Sequence, residues 1–232
     1  MPSPKSAGVP ARRQGVMPKT SRGMRTRSAL HAAARDEFEA EGYAGAGAVG
    51  ITRRAGVSNG TFYFYYASKE AIFLAVLQEV MDEMAKGAHA ARMSDGDAAE
   101  QIRSVNRRYL DLYAANSRFI RVVEEAANLN EPVRQVYRDI RRRQIGGVAN
   151  QFALLQRRGL IDPDLDVFAM ASVLGSMVRN AAYVIHYLDE DADRAAIEAC
   201  LQLVQVRALK IKRGPSRPKK ATVGQALRPQ TG

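Results

Sequence analysis

The chain of 232 residues contains one cysteine, little proline between its ends, and no apolar run that approaches the length of a membrane span. A single cysteine, Cys200, excludes an intramolecular disulfide framework and fits a reducing compartment, where we expect a buried structural thiol. The N-terminal residues also lack the apolar core of a signal peptide. With 46% hydrophobic residues, these absences favour a folded helical protein in the cytoplasm, with no membrane contact.

Acidic residues are absent from both ends of the chain. Residues 1–27 hold seven Lys/Arg and residues 207–232 hold eight, whereas the residues between them carry 20 basic and 24 acidic groups. The folded part is therefore mildly acidic, although the formal net charge is +11. Because both ends are rich in Pro, Gly and Ser, we predict a disordered arm over 1–24 and a disordered tail over 214–232. The arm is expected to contact DNA phosphates or the minor groove, and the tail to be a solvated segment.

What is present is a pair of short helices joined by a glycine turn. Within Ile51–Tyr66, ITRRAGVSNGTFYFYY, a break at Gly56 is followed by Ser58, which can cap a second short helix. Ser68 is the expected cap of the helix after it. Two short helices joined in this way form a helix-turn-helix, whose second helix enters the DNA major groove.

The second short helix carries more polar and aromatic side chains than a packed hairpin requires. Burial accounts for Val57, Phe62 and Tyr66. It does not account for the crowding of Asn59, Thr61, Tyr63, Phe64 and Tyr65. Small residues let the backbone approach DNA closely, and tyrosine hydroxyls can donate to phosphate. The segment therefore predicts a DNA-binding surface.

The stretch AGVSNGTFYFYYASKEAI resembles the DNA-binding signature of the TetR (tetracycline repressor-like) transcriptional regulators. The matching residues are Ala55–Ser58, Gly60–Tyr63, Tyr65-Tyr66 and Ser68–Glu70. The resemblance implies an all-α protein, with a three-helix DNA-binding head followed by a helical domain for effector binding and dimerisation. We place the head at 25–72 and the second domain at 73–213.

The same resemblance assigns roles to individual residues. It implies that Asn59, Gly60 and Phe64 lie near bases, and that Thr61, Tyr63, Tyr65 and Lys69 lie near phosphates. One departure concerns the start of the second helix, where the family usually has threonine or serine and this chain has Ala46 and Gly47. A side-chain cap is therefore expected to be absent or shifted there.

Apolar periodicity and capping residues predict the remaining helices. The first begins near Thr26 or Ser28 and ends at Gly42, and the fourth runs from Ser68 past Met84. The later predictions are one helix capped by Asp97, one capped by Ser117, one from Pro132 to Gly159, one over Asp164–Tyr187 and one over Asp193–Lys210. Polar residues 94–97 are the predicted linker.

The second domain is expected to hold a small-molecule effector and to form a homodimer. Candidate lining residues at helical spacing are Tyr109, Tyr113, Phe119, Asn128, Tyr137, Phe152, Met170, Met177, Asn180 and Tyr183, each of which packing in a core explains equally well. Because the Asp164–Tyr187 helix is apolar on nearly every face, we predict that it pairs with its two-fold mate through Leu174, with Leu201 and Val204 on the last helix. His186 is interpreted as a satisfied core or interface histidine, and Arg141–Arg143 as a solvated face.

Other classes of function have weaker support. Gly45, Gly47 and Gly50 match the spacing of a dinucleotide-binding fingerprint, but the required preceding strand is missing. The three histidines are scattered, so we predict no metal, no cofactor and no catalytic residues. The favoured hypothesis is a repressor that binds an inverted-repeat operator and is released by an effector. Activation, constitutive DNA binding without an effector, and a nucleotide-using enzyme remain as alternatives, the last disfavoured.

Overall fold

The computed structural model describes residues 20–92, 97–188 and 191–211, and within them every regular element is helical. The α-helices are α1 (Ser21–Gly45), α2 (Ala48–Ala55), α3 (Asn59–Tyr65), α4 (Lys69–Arg92), α5 (Ala98–Leu129), α6 (Glu131–Arg157), α7 (Val167–Tyr183) and α8 (Arg194–Ala208), with a π-helical turn over Val184–Leu188 after α7. The predicted all-α fold is confirmed. The predicted tail, most of the linker and most of the arm lie outside the described residues.

The first helix begins earlier than the sequence suggested. Thr20 caps α1, its hydroxyl oxygen accepting from the backbone N–H of Gly23 at 3.1 Å. Residues 21–24 are therefore helical, and their assignment to a disordered arm is wrong. At the other end, Gly42 adopts a positive φ of 69°, which breaks the helix where the sequence predicted its end, and the chain then makes one further turn.

Helices α1 to α4 form the head around a core of aromatic and aliphatic side chains. Phe38 of α1 meets Phe73 of α4 edge to face, with ring centroids 4.8 Å apart. Ile51 and Phe62 are completely buried and Tyr66 nearly so. This confirms the interpretation of Phe62 and Tyr66 as anchors, while Val57 is only partly buried.

Helix α5 is one continuous element where two were predicted. Asp97 caps it as expected, accepting from the backbone N–H of Glu100 at 2.9 Å. Ser117 is no cap, because its hydroxyl donates to the carbonyl of Ala114 inside the helix. A serine can make either bond, so its position along the sequence does not separate the two. The resulting helix of 32 residues reaches from the far end of the second domain to the head.

The last helices are shorter than predicted and leave much apolar surface uncovered. Asp166 and Asp193 cap α7 and α8. Among the described residues, Val167–Leu188 is long and apolar enough to cross a membrane, judged by length and composition alone. No such run was expected from the sequence. Only 22% of the most apolar stretch of this helix is buried. Cys200 on α8 is exposed, so the prediction of a buried thiol is wrong.

Candidate nucleic-acid interface and central cavity

The turn between α2 and α3 follows the sequence prediction closely. Gly56 adopts a left-handed conformation with φ 66°, and the N–H of Val57 donates to the carbonyl of Thr52 at 3.1 Å. The hydroxyl oxygen of Ser58 then accepts from the N–H of Thr61 at 3.2 Å and caps α3. Gly47 precedes α2 without a side-chain cap, as expected from the departure noted above.

Four of the predicted DNA-contacting residues share the outer surface of α3, which we call the α3 face. Asn59 and Gly60 are exposed, and Tyr63 and Phe64 expose 59% and 62% of their surface. Thr61 beside them is half-buried. The side chain of Asn59 is held by α2, because the hydroxyl of Thr52 donates to its Oδ1 at 2.8 Å. The face therefore offers both hydrogen-bonding and aromatic groups to a partner.

Two of the predicted phosphate contacts, Tyr65 and Lys69, also make hydrogen bonds inside the protein. Tyr65 is 8% exposed and its hydroxyl donates to the carbonyl of Gly23 at 3.4 Å, but it also lines the depression described below, so its assignment to phosphate stays a prediction. Lys69 donates to the carbonyls of Tyr43 and Ala44 at 2.8 and 3.2 Å and lies over the ring of Tyr43. These bonds satisfy the end of α1, and they leave one donor of the ammonium group for a phosphate.

Beside the α3 face lies an open depression that the sequence argument missed. It has a volume of about 730 Å³ between the start of α1 and α3, and Thr20, Arg22 and Thr26 line its α1 side. These residues had been assigned to the arm or to the first turn of α1. The signal that could have found them is the Thr20 cap, since the first turn of a helix attracts anions.

A polar pair lies beneath α2. Arg54 Nε donates to Glu37 Oε2 at 2.6 Å, and Glu37 is only 4% exposed. Gly50 lies directly against this carboxylate, and a Cβ at that position would overlap it. A side chain at position 50 would have to displace the Glu37 carboxylate or move α2 away from α1.

A buried polar network joins three elements of the head, namely α1, α4 and the C-terminal end of α3. His31 contacts the Glu79 carboxylate through Nδ1 and the Tyr66 hydroxyl through Nε2, and Arg27 Nε donates to the same hydroxyl at 3.1 Å. Burial is the main cause that raises the pKa of Tyr66. The network satisfies the hydroxyl of an otherwise buried ring and fixes α3 to the rest of the head.

The second domain contains a cavity of about 430 Å³, here called the central cavity. Helices α4 to α8 all contribute to its walls. Four of the ten predicted lining residues face it, namely Tyr109, Tyr113, Tyr137 and Phe152. The prediction is wrong for the others, which are Phe119, Asn128, Met170, Met177, Asn180 and Tyr183. Asn180 is exposed, and Met177 and Tyr183 pack against the hydrophobic core.

The cavity also contains polar groups that periodicity did not single out. Arg141 lines it and is half-buried, so the interpretation of Arg141–Arg143 as a solvated face is wrong for that residue, whereas Arg142 and Arg143 are exposed as expected, although Arg143 also lines the cavity. Arg179 lines it as well, and its Nε is buried without a hydrogen-bond partner among the described residues. Asn106 donates to Gln205 at 2.6 Å within the wall.

Helix α5 connects the cavity to the head. At the Gly42 break, the carboxylate of Glu125 accepts from the N–H groups of Tyr43 and Ala44 at 3.3 and 3.4 Å. Asn130, just after α5, donates to the hydroxyl of Tyr43 at 3.2 Å and to Glu70 at 2.9 Å. One rigid helix therefore lines the cavity and holds the end of α1.

The predicted dimer contacts are only partly on the surface. Leu174 and Leu201 are each 4% exposed inside the subunit, so their assignment to an interface is wrong. Val204 is exposed, as the prediction requires, together with Phe168, Val173 and Leu203. His186 is half-buried, and its Nε2 has no partner among the described residues, so it is not a satisfied core histidine, and the interface alternative stays a prediction.

Metal chemistry finds no support in the part of the chain that the structure describes. No group of three or more His, Cys, Asp or Glu side chains there could hold a metal ion.

Comparison with known proteins identifies the head. Residues 30–76 match the family model described as bacterial regulatory proteins, tetR family. The transcriptional activator FasR from Mycolicibacterium smegmatis is 31% identical over 121 residues, which are 52% of this chain and 53% of FasR. The chain thus spans about half the length of this curated relative.

Solved structures share the fold over most of the chain. The fatty acid degradation regulator FadR from Bacillus halodurans superposes with a TM-score of 0.71 at 17% identity, over 84% of this chain and 100% of that one. FadR from Bacillus subtilis, solved in complex with stearoyl-CoA, gives 0.68 at 20% identity, over 77% and 97%. At these identities the likeness concerns the fold alone.

Proposed function

Because the chain belongs to the TetR family of bacterial transcriptional regulators, we propose that it is a cytoplasmic repressor that binds an inverted-repeat DNA site as a homodimer and is released by an effector. The α3 face is the proposed base-reading surface. Asn59, Gly60 and Phe64 would approach base edges, while Thr61, Tyr63, Lys69 and the depression near Arg22 would hold phosphates. The arm ahead of Thr20 would add further phosphate contacts.

Two substitutions separate these roles. Tyr63→Phe removes a hydroxyl proposed to bind phosphate and should weaken binding to all DNA sequences alike. Asn59→Ala should cost about 1 to 3 kcal/mol on the preferred site and much less on unrelated DNA. Fluorescence anisotropy with both kinds of DNA measures this, with Tyr187→Phe in the second domain as the control. Equal losses on both DNAs for Asn59→Ala would contradict base reading.

The homodimer is supported by apolar surface that one subunit leaves uncovered. Helices α7 and α8 expose Phe168, Val173, Leu203 and Val204. Pairing these helices with their two-fold mates would give a four-helix bundle and remove that surface from water. A two-fold dimer also places two α3 faces on successive major grooves, which is why we expect an inverted repeat.

The effector is proposed to contain a long apolar chain. The walls of the central cavity are mainly aliphatic and aromatic, and a volume of about 430 Å³ suits a small molecule. FadR from Bacillus subtilis, which shares the fold, was solved with stearoyl-CoA. A fatty acyl compound is therefore the class of effector that we propose for this chain.

The observation that carries the proposal is the double role of α5. Ile120 lines the cavity, and Glu125, little more than one turn further along, binds the N–H groups at the Gly42 break. An effector that moves α5 would therefore move α1 and the head with it. Repression with release follows if the ligand-free arrangement is the one that binds DNA.

The test is a measurement of coupling between the two sites. After selecting the preferred DNA site with the full chain, we expect dodecanoyl-CoA or dodecanoate to weaken DNA binding at least about tenfold. Glu125→Gln should retain both binding events but reduce the coupling, because a neutral amide holds the two N–H groups less strongly.

Other outcomes distinguish the alternatives. Tighter DNA binding with ligand would contradict repression by release, and a relative named as an activator makes this outcome important. Ligand binding without any effect on DNA, or no ligand binding at all, would favour a constitutive DNA-binding protein.

A further inference from the structure

We propose that the effector of this chain is a free carboxylate, an aliphatic chain with one anionic end that the guanidinium of Arg179 holds inside the central cavity. This inference rests on the proposed function for the existence of an effector. It adds the chemistry of the effector's polar end and the residue that selects it. The argument depends on how apolar and polar groups divide along the cavity wall.

Seven apolar side chains of one hydrophobic cluster line the wall together. They belong to the smaller of the two hydrophobic clusters in the structure, with contributions from α5, α6 and α7. They are Ile102, Ile145, Val148, Phe152, Leu155, Ala171 and Leu174. An aliphatic chain can lie against these apolar side chains.

Another part of the wall is polar and positively charged. Tyr109, Tyr113 and Tyr137 are electrostatic neighbours of one another, and Arg179 interacts with both Tyr109 and Tyr113. Arg141 is a further neighbour of Tyr109. These groups come from α5, α6 and α7, so three helices bring their polar side chains to one region of the cavity.

The tyrosines in this region are hydroxyl donors and not anions. Burial is the main cause that raises the pKa of Tyr109 above its ordinary value, and burial likewise raises the pKa of Tyr113 to about 12. Neutral phenols cannot neutralise the arginines beside them. They can, however, donate hydrogen bonds to an acceptor placed between them.

Arg179 has donor capacity that the protein does not use. Its side chain is 40% exposed and its Nη1 lies 3.5 Å from Glu124 Oε1, whereas its Nε atom is buried without a partner among the described residues. A buried donor left unpaired costs free energy, and a carboxylate is the acceptor that best matches the guanidinium fork. The arginine is therefore prepared for an anionic acceptor that enters the cavity.

The charge of the wall favours the same ligand. The charged lining residues comprise three arginines, Arg141, Arg143 and Arg179, against one acid, Asp82, and of these Arg143 and Asp82 are exposed to solvent. Glu124 offsets part of the charge on Arg179, which leaves the wall positive. A cationic amphiphile would be repelled, and a neutral alcohol would leave the Nε of Arg179 with a weaker acceptor.

The experiment compares ligands that share one chain length and differ at the polar end. Isothermal titration of the full chain would use dodecanoate, dodecanol, dodecyltrimethylammonium and dodecanoyl-CoA, all in the micromolar range. We expect dodecanoate to bind at least about tenfold more tightly than dodecanol, and the cation to bind most weakly. Dodecanoyl-CoA tests whether the anion is a free carboxylate or belongs to a larger thioester.

Variants then assign the preference to one residue. Arg179→Gln should weaken dodecanoate about tenfold or more and leave dodecanol within about threefold, because only the charged contact is lost. Arg142→Gln is the matched control, since Arg142 is exposed on α6 and does not line the cavity. The dodecanol affinity also shows whether the Arg179 variant is folded.

Each contrary result has a separate meaning. Equal affinities for dodecanoate and dodecanol, or an unchanged preference in Arg179→Gln, would overturn the carboxylate proposal while leaving an apolar effector intact. Binding of dodecanoyl-CoA alone would also overturn it and would support the acyl thioester. If none of the four compounds binds, the proposed fatty acyl effector fails as well.

Discussion

Replacing Val173 and Val204 together by glutamate should convert a dimer into monomers and abolish tight binding to the inverted repeat. Val173 exposes 66% of its surface on α7 and Val204 exposes 45% on α8. In the proposed bundle these positions meet the two-fold mate, so each substitution brings two unpaired charges into an apolar interface. Uncompensated charges of this kind cost roughly 3 to 5 kcal/mol, enough to raise the dimer dissociation constant about a thousandfold.

Light scattering at micromolar concentration measures the change, and two controls accompany it. Leu129→Glu changes an equally exposed leucine at the end of α5 and should leave the dimer intact. Leu174→Glu would be uninformative, because Leu174 lies in the core of its own subunit and the charge would unfold it. A monomeric wild type, or a dimeric Val173/Val204 variant, would show that the bundle is wrong.

The labelling rate of Cys200 is an independent test of the same dimer interface. Cys200 is exposed in the subunit and precedes Leu203 and Val204 by three and four residues, which places it on the same side of α8. A maleimide should therefore label the monomeric variant quickly and the wild-type dimer slowly. Equal labelling rates would place the interface away from this side of α8.

Gly50→Ala should destabilise the head and remove DNA binding, although alanine is the better helix former. The added Cβ would overlap the carboxylate of Glu37, which is buried and bonded to Arg54 at 2.6 Å. Either α2 moves away from α1 or the pair separates and leaves a buried carboxylate. Overpacking of this kind costs roughly 1 to 3 kcal/mol.

Gly60→Ala is the matched control in the same head. A Cβ at Gly60 would meet only the hydroxyl of Ser58 at 3.7 Å, an ordinary contact. Within α3 this substitution should raise stability by about 0.5 to 1 kcal/mol, yet weaken DNA binding by separating the backbone from the bases. Thermal unfolding followed by circular dichroism, together with anisotropy, distinguishes the two variants. A Gly50→Ala protein as stable as wild type would contradict the packing argument.

Local signals were sufficient wherever a few neighbouring residues decide the structure. The left-handed Gly56, the Ser58 and Ser68 caps and the missing cap before α2 all follow from side chains within three or four positions of one another. The same signals failed at Ser117, where a hydroxyl bonds its own helix. They also failed to identify Thr20 as the cap of α1, because the basic, proline-rich residues around it suggested disorder.

The sequence by itself determined that this protein is helical, that its head matches the helix-turn-helix of the TetR family, and which short helix carries exposed polar and aromatic side chains. Only the tertiary structure decided which way each apolar side chain faces. It turned Tyr65, Leu174 and Leu201 inward, left Val173 outside, and brought Arg179 to the cavity. The reason is that caps and turns depend on residues near in sequence, whereas α7 has apolar residues on nearly every face. The packing of α5, α6 and α8 against α7 decides which of those residues are buried. The periodicity of one helix does not reveal which helices pack against it.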